Sequence, residues 1–231
     1  VQEFASRLQS GLVPNFARWA DLLAGSEVPD QNQDDINNSL DQVTDYVFEI
    51  IQNSNFGQEV HESFMDLAVG TGILLVEEGD AVNPIRFNAI PLPTVYLDTG
   101  PDDKIDHVYR QRSLKYEEIP IAYQKAELGE KTAKSVASNP DAKVDIVEIV
   151  CRNYSKPNQD LFDFFVINIP DKELIFQDQF SGTGSNPFVC FRWSKASGEI
   201  YGRGPLINAL SAIKTTNLTI ELVLENAQMA I

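Results

Sequence analysis

Phe64-Met65-Asp66-Leu67-Ala68-Val69-Gly70-Thr71-Gly72-Ile73-Leu74-Leu75-Val76-Glu77-Glu78 is where the apolar period of this chain changes. Upstream, Val60, Phe64 and Leu67 recur at helical spacing, and His61, Glu62 and Asp66 fall on a polar face. Downstream, Ile73 to Glu78 is a short β-rich run. The order is therefore helix, glycine turn, strand. A cofactor-binding glycine loop needs the reverse, a buried parallel strand that opens into a helix. Asp66-Leu67-Ala68-Val69-Gly70-Thr71-Gly72 carries the glycines of such a loop without that order of elements. A glycine stop at the end of a helix accounts for the same residues.

Outward from this junction, the pattern predicts an α+β fold with helices first, a strand-rich middle and a long closing helix. Val1 to Gln9 forms a helical face that Gly11 and Pro14 break, and Phe16, Trp19 and Leu22 are expected core anchors around a bend. Gly25 to Asn32 has loop composition. Asp34 or Asp35 is placed to cap a helix whose seam is Ile36, Leu40, Val43, Val47 and Ile50. Strands are expected at Ile73–Glu78, Ile85–Ile90, Thr94–Leu97, Ile105–Leu114, Val144–Tyr154, Leu161–Ile169, Leu174–Gln179 and Phe188–Trp193, in an antiparallel sheet or small barrel. Asp98 to Asp103, Pro157 to Asp160 and Ser181 to Asn186 provide turns, and Glu117 to Ser138 provides one or two exposed helices. Cys151 and Cys190 fall in strands as expected buried free thiols.

The last third turns at Gly198-Glu199-Ile200-Tyr201-Gly202-Arg203-Gly204-Pro205 and enters a helical pattern that runs to Ile231. Leu206, Leu210, Ile213, Asn217, Ile220 and Leu224 continue through Ala227 to Ile231 at alternating four and three spacing, a seam for packing on other helices. Ser211, Lys214, Glu221, Glu225 and Gln228 form a second, polar stripe. With no C-terminal helix stop and no initiator Met, the 231 residues are expected to be an excerpt of a longer protein.

Composition excludes several functions. The chain is 43% hydrophobic and 23% charged, ordinary for a globular protein, and contains no apolar run long enough to span a membrane. A net charge of -16 argues against tight capture of nucleic acid through phosphates. His61 and His107 are the only histidines and lack metal-ligand spacing. The pairs Glu77-Glu78 and Glu117-Glu118 diverge, and Ser181 to Ser185 lacks the Lys of a phosphate-binding loop. No catalytic residue, cofactor or metal is called for.

Three blocks, taken in order, resemble the N-terminal part of the portal, or head-to-tail connector, proteins of short-tailed bacteriophages. They are Phe4-Ala5-Ser6-Arg7-Leu8 with Leu12, Pro14 and Trp19; Phe64 to Glu78 with Phe87 to Leu97; and Gly198 to Pro205 leading into Asn208-Ala209-Leu210. The last block is the most specific, and Ser113–Asp145 and Pro157–Gly184 carry little of the likeness. The resemblance implies a wing-like α+β region over residues 1–200 and the start of a stem helix over 201–231. On that resemblance the clip, second stem helix and C-terminal part are expected to lie outside this excerpt.

The resemblance further implies a non-enzymatic dodecameric ring at a capsid vertex, assembled in the host cytoplasm. Its implied partners are other copies of itself, the terminase motor, the major capsid protein, scaffolding protein, tail adaptors, and duplex DNA passing through a channel without tight binding. On that basis Lys214, Glu221 and Glu225 are candidates to face the channel or the adjoining subunit. Arg203 is a candidate wing-stem or inter-subunit contact. Which stripe of the helix meets DNA stays open, as do two alternatives: an AdoMet-dependent methyltransferase, whose first motif Asp66 to Gly72 resembles except that Val69 stands where that family has glycine, or another phage head-tail adaptor.

Overall fold

The computed structural model describes residues 1–27, 29–156 and 159–229. It is an α+β protein that divides into two compact units. The first unit comprises residues 1–72, 79–86 and 191–231; the second comprises 73–78 and 87–190.

The first unit begins with helices α1 (Gln2–Leu12), α2 (Asp30–Asn53) and α3 (Phe56–Leu67) and ends with α6 (Pro205–Met229). As its spacing predicts, α3 buries Val60, Phe64 and Leu67, which close on Ala5 of α1. Two details of α2 differ from expectation. The helix starts at Asp30 behind Pro29, a full turn before the expected caps, so Asp34 and Asp35 lie inside it. Its buried residues are Thr44 and Phe48, while Val43 and Val47 of the expected seam stay 48% and 37% exposed. Trp19 decides this orientation, meeting Phe48 edge-on at 5.2 Å and stacking on Phe56 at 6.0 Å.

The irregular segment that carries Trp19 is held to α2 by polar bonds. Leu22 N–H donates to Thr44 Oγ1 (3.2 Å) and Ala24 N–H to Asn37 Oδ1 (2.8 Å). Arg18 reaches Asp41 (2.6 Å), Asp45 (2.8 Å) and Asp21. Phe16 and Leu22, expected in the core, are 94% and 47% exposed, because the strap is fixed by the Trp19 ring, by Arg18 and by backbone N–H groups.

The eight expected strands are all present: β1 (Thr71–Glu78), β2 (Ile85–Ala89), β3 (Val95–Thr99), β4 (Ile105–Lys115), β5 (Lys143–Arg152), β6 (Leu161–Asn168), β7 (Glu173–Ser181) and β8 (Phe188–Arg192). Three of them form a sheet in the order β2-β1-β8. The other five form an antiparallel meander, β3-β4-β5-β6-β7, which contains the core of the second unit. Short helices α4 (Ile119–Ala122) and α5 (Glu130–Ser138) interrupt the meander. They are anchored rather than merely exposed: Ile119, Tyr123 and Thr132 are buried, and Ile119 and Tyr123 pack on Val144, Ile146, Val166 and Ile175. Glu173 ties α5 to β7 by accepting from the N–H (3.0 Å) and hydroxyl (2.8 Å) of Thr132, and these bonds hold its carboxyl below the usual range. Cys151 and Cys190 are not joined in a disulfide and lie in strands as expected, but are half-buried rather than buried. The tip of the expected Pro157–Asp160 turn and the end of the closing seam at Ile231 lie outside the described residues.

Candidate functional site

The glycines of the helix-to-strand junction meet the glycines of the last turn, within the first unit. Between α3 and β1, the carbonyls of Ala68, Val69 and Gly70 are left without helical partners. Gly204 N–H donates to Val69 O (2.7 Å), Leu206 N–H to Ala68 O (3.1 Å) and Trp193 N–H to Gly70 O (2.9 Å). From the other side, Gly202 N–H donates to Thr71 Oγ1 at 2.8 Å. Leu206 N–H in the first turn of α6 thus finds the carbonyl of Ala68, the C-cap of α3, so an orphan group of each helix is satisfied where helix ends of opposite partial charge meet. Pro205 has no N–H to place at the first position of α6.

The approach is close enough to require glycine. A Cβ on Gly70 would overlap the carbonyl oxygen of Gly202, one on Gly202 would overlap that of Gly70, and one on Gly204 would overlap that of Ala68. Gly72 is closed by the Phe191 ring and the carbonyl of Ser63. The glycine faces that a methyltransferase would present to its cofactor are occupied by protein. Around the junction, Phe64 meets Phe191 edge-on at 5.8 Å and Phe4 meets Trp193 at 5.3 Å. All three blocks of the phage resemblance, distant in sequence, therefore converge here.

Arg203 extends from the turn and spends its fork locally. Its Nε donates to Glu199 Oε2 (2.9 Å) and Nη2 to Glu199 Oε1 (2.5 Å), so the hydrogen-bonded arginine draws the Glu199 carboxyl below its ordinary range. The pair stays partly exposed.

Helix α6 leaves the junction as 25 residues, about 37 Å at 1.5 Å per residue. None of them is buried. In the seam, Leu206 is half-buried at the junction, and Leu210 (45%), Ile213, Ile220 and Leu224 (58%) are exposed, with Asn217 also exposed among them. Ile207, Leu218, Leu222 and Val223 add exposed apolar surface off the seam. An exposed helix that is apolar on several faces is unusual for a finished surface. Lys214, Glu221 and Glu225 share one face by their spacing of seven and four, and none forms an ion pair among the described residues. Beside them, the hydroxyls of Thr215, Thr216 and Thr219 donate to the carbonyls of Ser211 (3.0 Å), Ala212 (2.9 Å) and Thr215 (2.9 Å).

The structure also contains a polar centre that sequence spacing did not indicate. Buried Glu148 on β5 accepts from Arg110 (3.2 Å), Arg112 (2.9 Å) and the hydroxyl of Tyr123 (2.5 Å). Burial first, and then the Glu148 carboxylate, keep the Tyr123 phenol protonated far above its ordinary range. The available signal was weak: alternate charges within the apolar strands β4 and β5. His61 contacts Gln9 at 3.1 Å, His107 lies on β4, and no cluster suited to a metal ion occurs among the described residues.

One family model, described as bacteriophage head to tail connecting protein, matches residues 1–231, and the chain belongs to that family. No curated protein matches the chain.

Proposed function

We propose that this head-to-tail connecting protein acts as a portal: a ring of identical copies at one capsid vertex through which DNA is packaged and later ejected. As a connector it is a component of the virion and meets parts of both head and tail. In the finer reading, residues 1–200 belong to an outer wing and 201–231 begin a stem. The terminase motor, major capsid protein, scaffolding protein and tail adaptors are its partners, and the ring is dodecameric.

The observation that carries this reading is α6. A 25-residue helix with apolar groups on several faces and no buried residue gains its stability from neighbours, and a ring supplies them as copies of itself. Lys214, Glu221 and Glu225 then face the channel or the next subunit. Acidic groups there repel phosphate and let a duplex slide. Arg203, which already holds Glu199, stiffens the turn from which the stem departs and remains exposed enough to meet an adjoining copy. Electron microscopy of the purified protein tests the reading. Rings with a central opening that admits duplex DNA are expected; a compact monomer at all accessible concentrations would overturn it.

A further inference from the structure

The second unit holds a cavity of about 370 Å³ that the connector role does not use. Residues of β1, β4, β5, β6, β7 and β8 line it, together with Ala122–Lys125 at and beyond the end of α4. Its size lies at the lower end of small-molecule sites. One wall is aromatic: Phe164 meets Phe176 edge-on at 5.8 Å and stacks with Phe180 at 5.9 Å, and all three rings are only half-buried, with surface left facing the opening.

The polar groups divide into engaged and available. At the floor, Glu148 is neutralised by Arg110 and Arg112 and capped by Tyr123, so it offers no free charge. Glu77 is held by the amide of Asn88. Glu78 and Asp178 are exposed and form no ion pair among the described residues; Asp178 spends one oxygen on the N–H of Gln179. Lys125 is exposed and lines the same cavity. Four carboxylates and two cations line the cavity, and Arg110, bound to Glu148, adds a third cation, so the acid excess there rests on Glu77, Glu78 and Asp178.

Aromatic faces beside unpaired carboxylates form an environment that favours a cation, through the negative face of each ring and direct charge attraction. We propose that this cavity binds a small organic cation, an ammonium or guanidinium on an aromatic or aliphatic body. The apolar body lies against Phe164, Phe176 and Phe180, and the charged group sits at the rim near Glu78 and Asp178.

Three probes of similar shape separate the contributions: phenethylammonium, uncharged phenethyl alcohol and anionic phenylacetate, each titrated into the purified protein by ligand-observed NMR. The ammonium is expected to bind about tenfold more tightly than the alcohol, the order of a partly desolvated cation–ring and carboxylate interaction, and phenylacetate more weakly than either. Asp178→Lys, an exposed change that leaves the core intact, removes that preference. Phe180→Ala weakens the ammonium and the alcohol together. The proposal fails if the alcohol matches the ammonium, if Asp178→Lys leaves ammonium binding unchanged, or if no probe shows saturable binding in the millimolar range.

Discussion

Gly202 and Gly11 are the same residue type under opposite constraints. Gly202 faces the carbonyl of Gly70, so a methyl group has nowhere to go, whereas Gly11 sits in α1 with nothing within 4 Å of an added Cβ. Gly202→Ala should destabilise the first unit by about 1–3 kcal/mol, the usual cost of overpacking a tight contact. Gly11→Ala should stabilise it by up to about 1 kcal/mol through helix propensity. Calorimetric melting of the two variants beside the parent protein checks both signs, and a neutral Gly202→Ala would mean the junction can open. The same residue explains what spacing could not reveal. Gly70-Thr71-Gly72 resembles a cofactor loop because both uses need bare backbone, and only the approach of Gly202 and Gly204 shows that protein fills the space.

Helix α6 carries two surfaces that substitutions should separate. Leu210→Asp with Ile213→Asp places charge in the apolar seam and should leave monomers in sedimentation velocity. Glu221→Lys with Glu225→Lys should preserve the rings and slow DNA passage at low salt. Loss of rings in the second variant, or rings in the first, would reverse the assignment of the two faces. At this scale most of the fold was legible in the sequence. The strands β1–β8 follow from β-branched runs between Gly, Pro and Asp, and α6 follows from its Gly-Pro start. Where the sequence misled, contacts made by the irregular segment before α2 overrode an apolar pattern. Phe16 is exposed because Arg18 and backbone N–H groups fix its strap, and the α2 seam turned by one residue because Trp19 covers Phe48. Glu148 went unnoticed because its partners come from β4 and from the segment after α4, brought together only by the meander.

Over the whole molecule, 34 acidic residues oppose 18 basic ones, yet Pro205 to Ile220 carries only Lys214. The acid excess therefore lies largely away from the first half of α6. A protein so charged should not shift duplex DNA in a gel at physiological salt. Submicromolar binding there would show a basic surface and would count against passage without capture. Net charge and mean hydropathy nevertheless understate how this surface behaves. The run Thr215-Thr216-Asn217-Leu218-Thr219 scores as polar, but its three threonine hydroxyls turn back onto the carbonyls one turn earlier. What they show outward is their γ-methyl groups. A neighbour laid against these threonines meets hydrocarbon whose hydroxyls are already bonded, while the exposed Asn217 adds an amide to the same stretch.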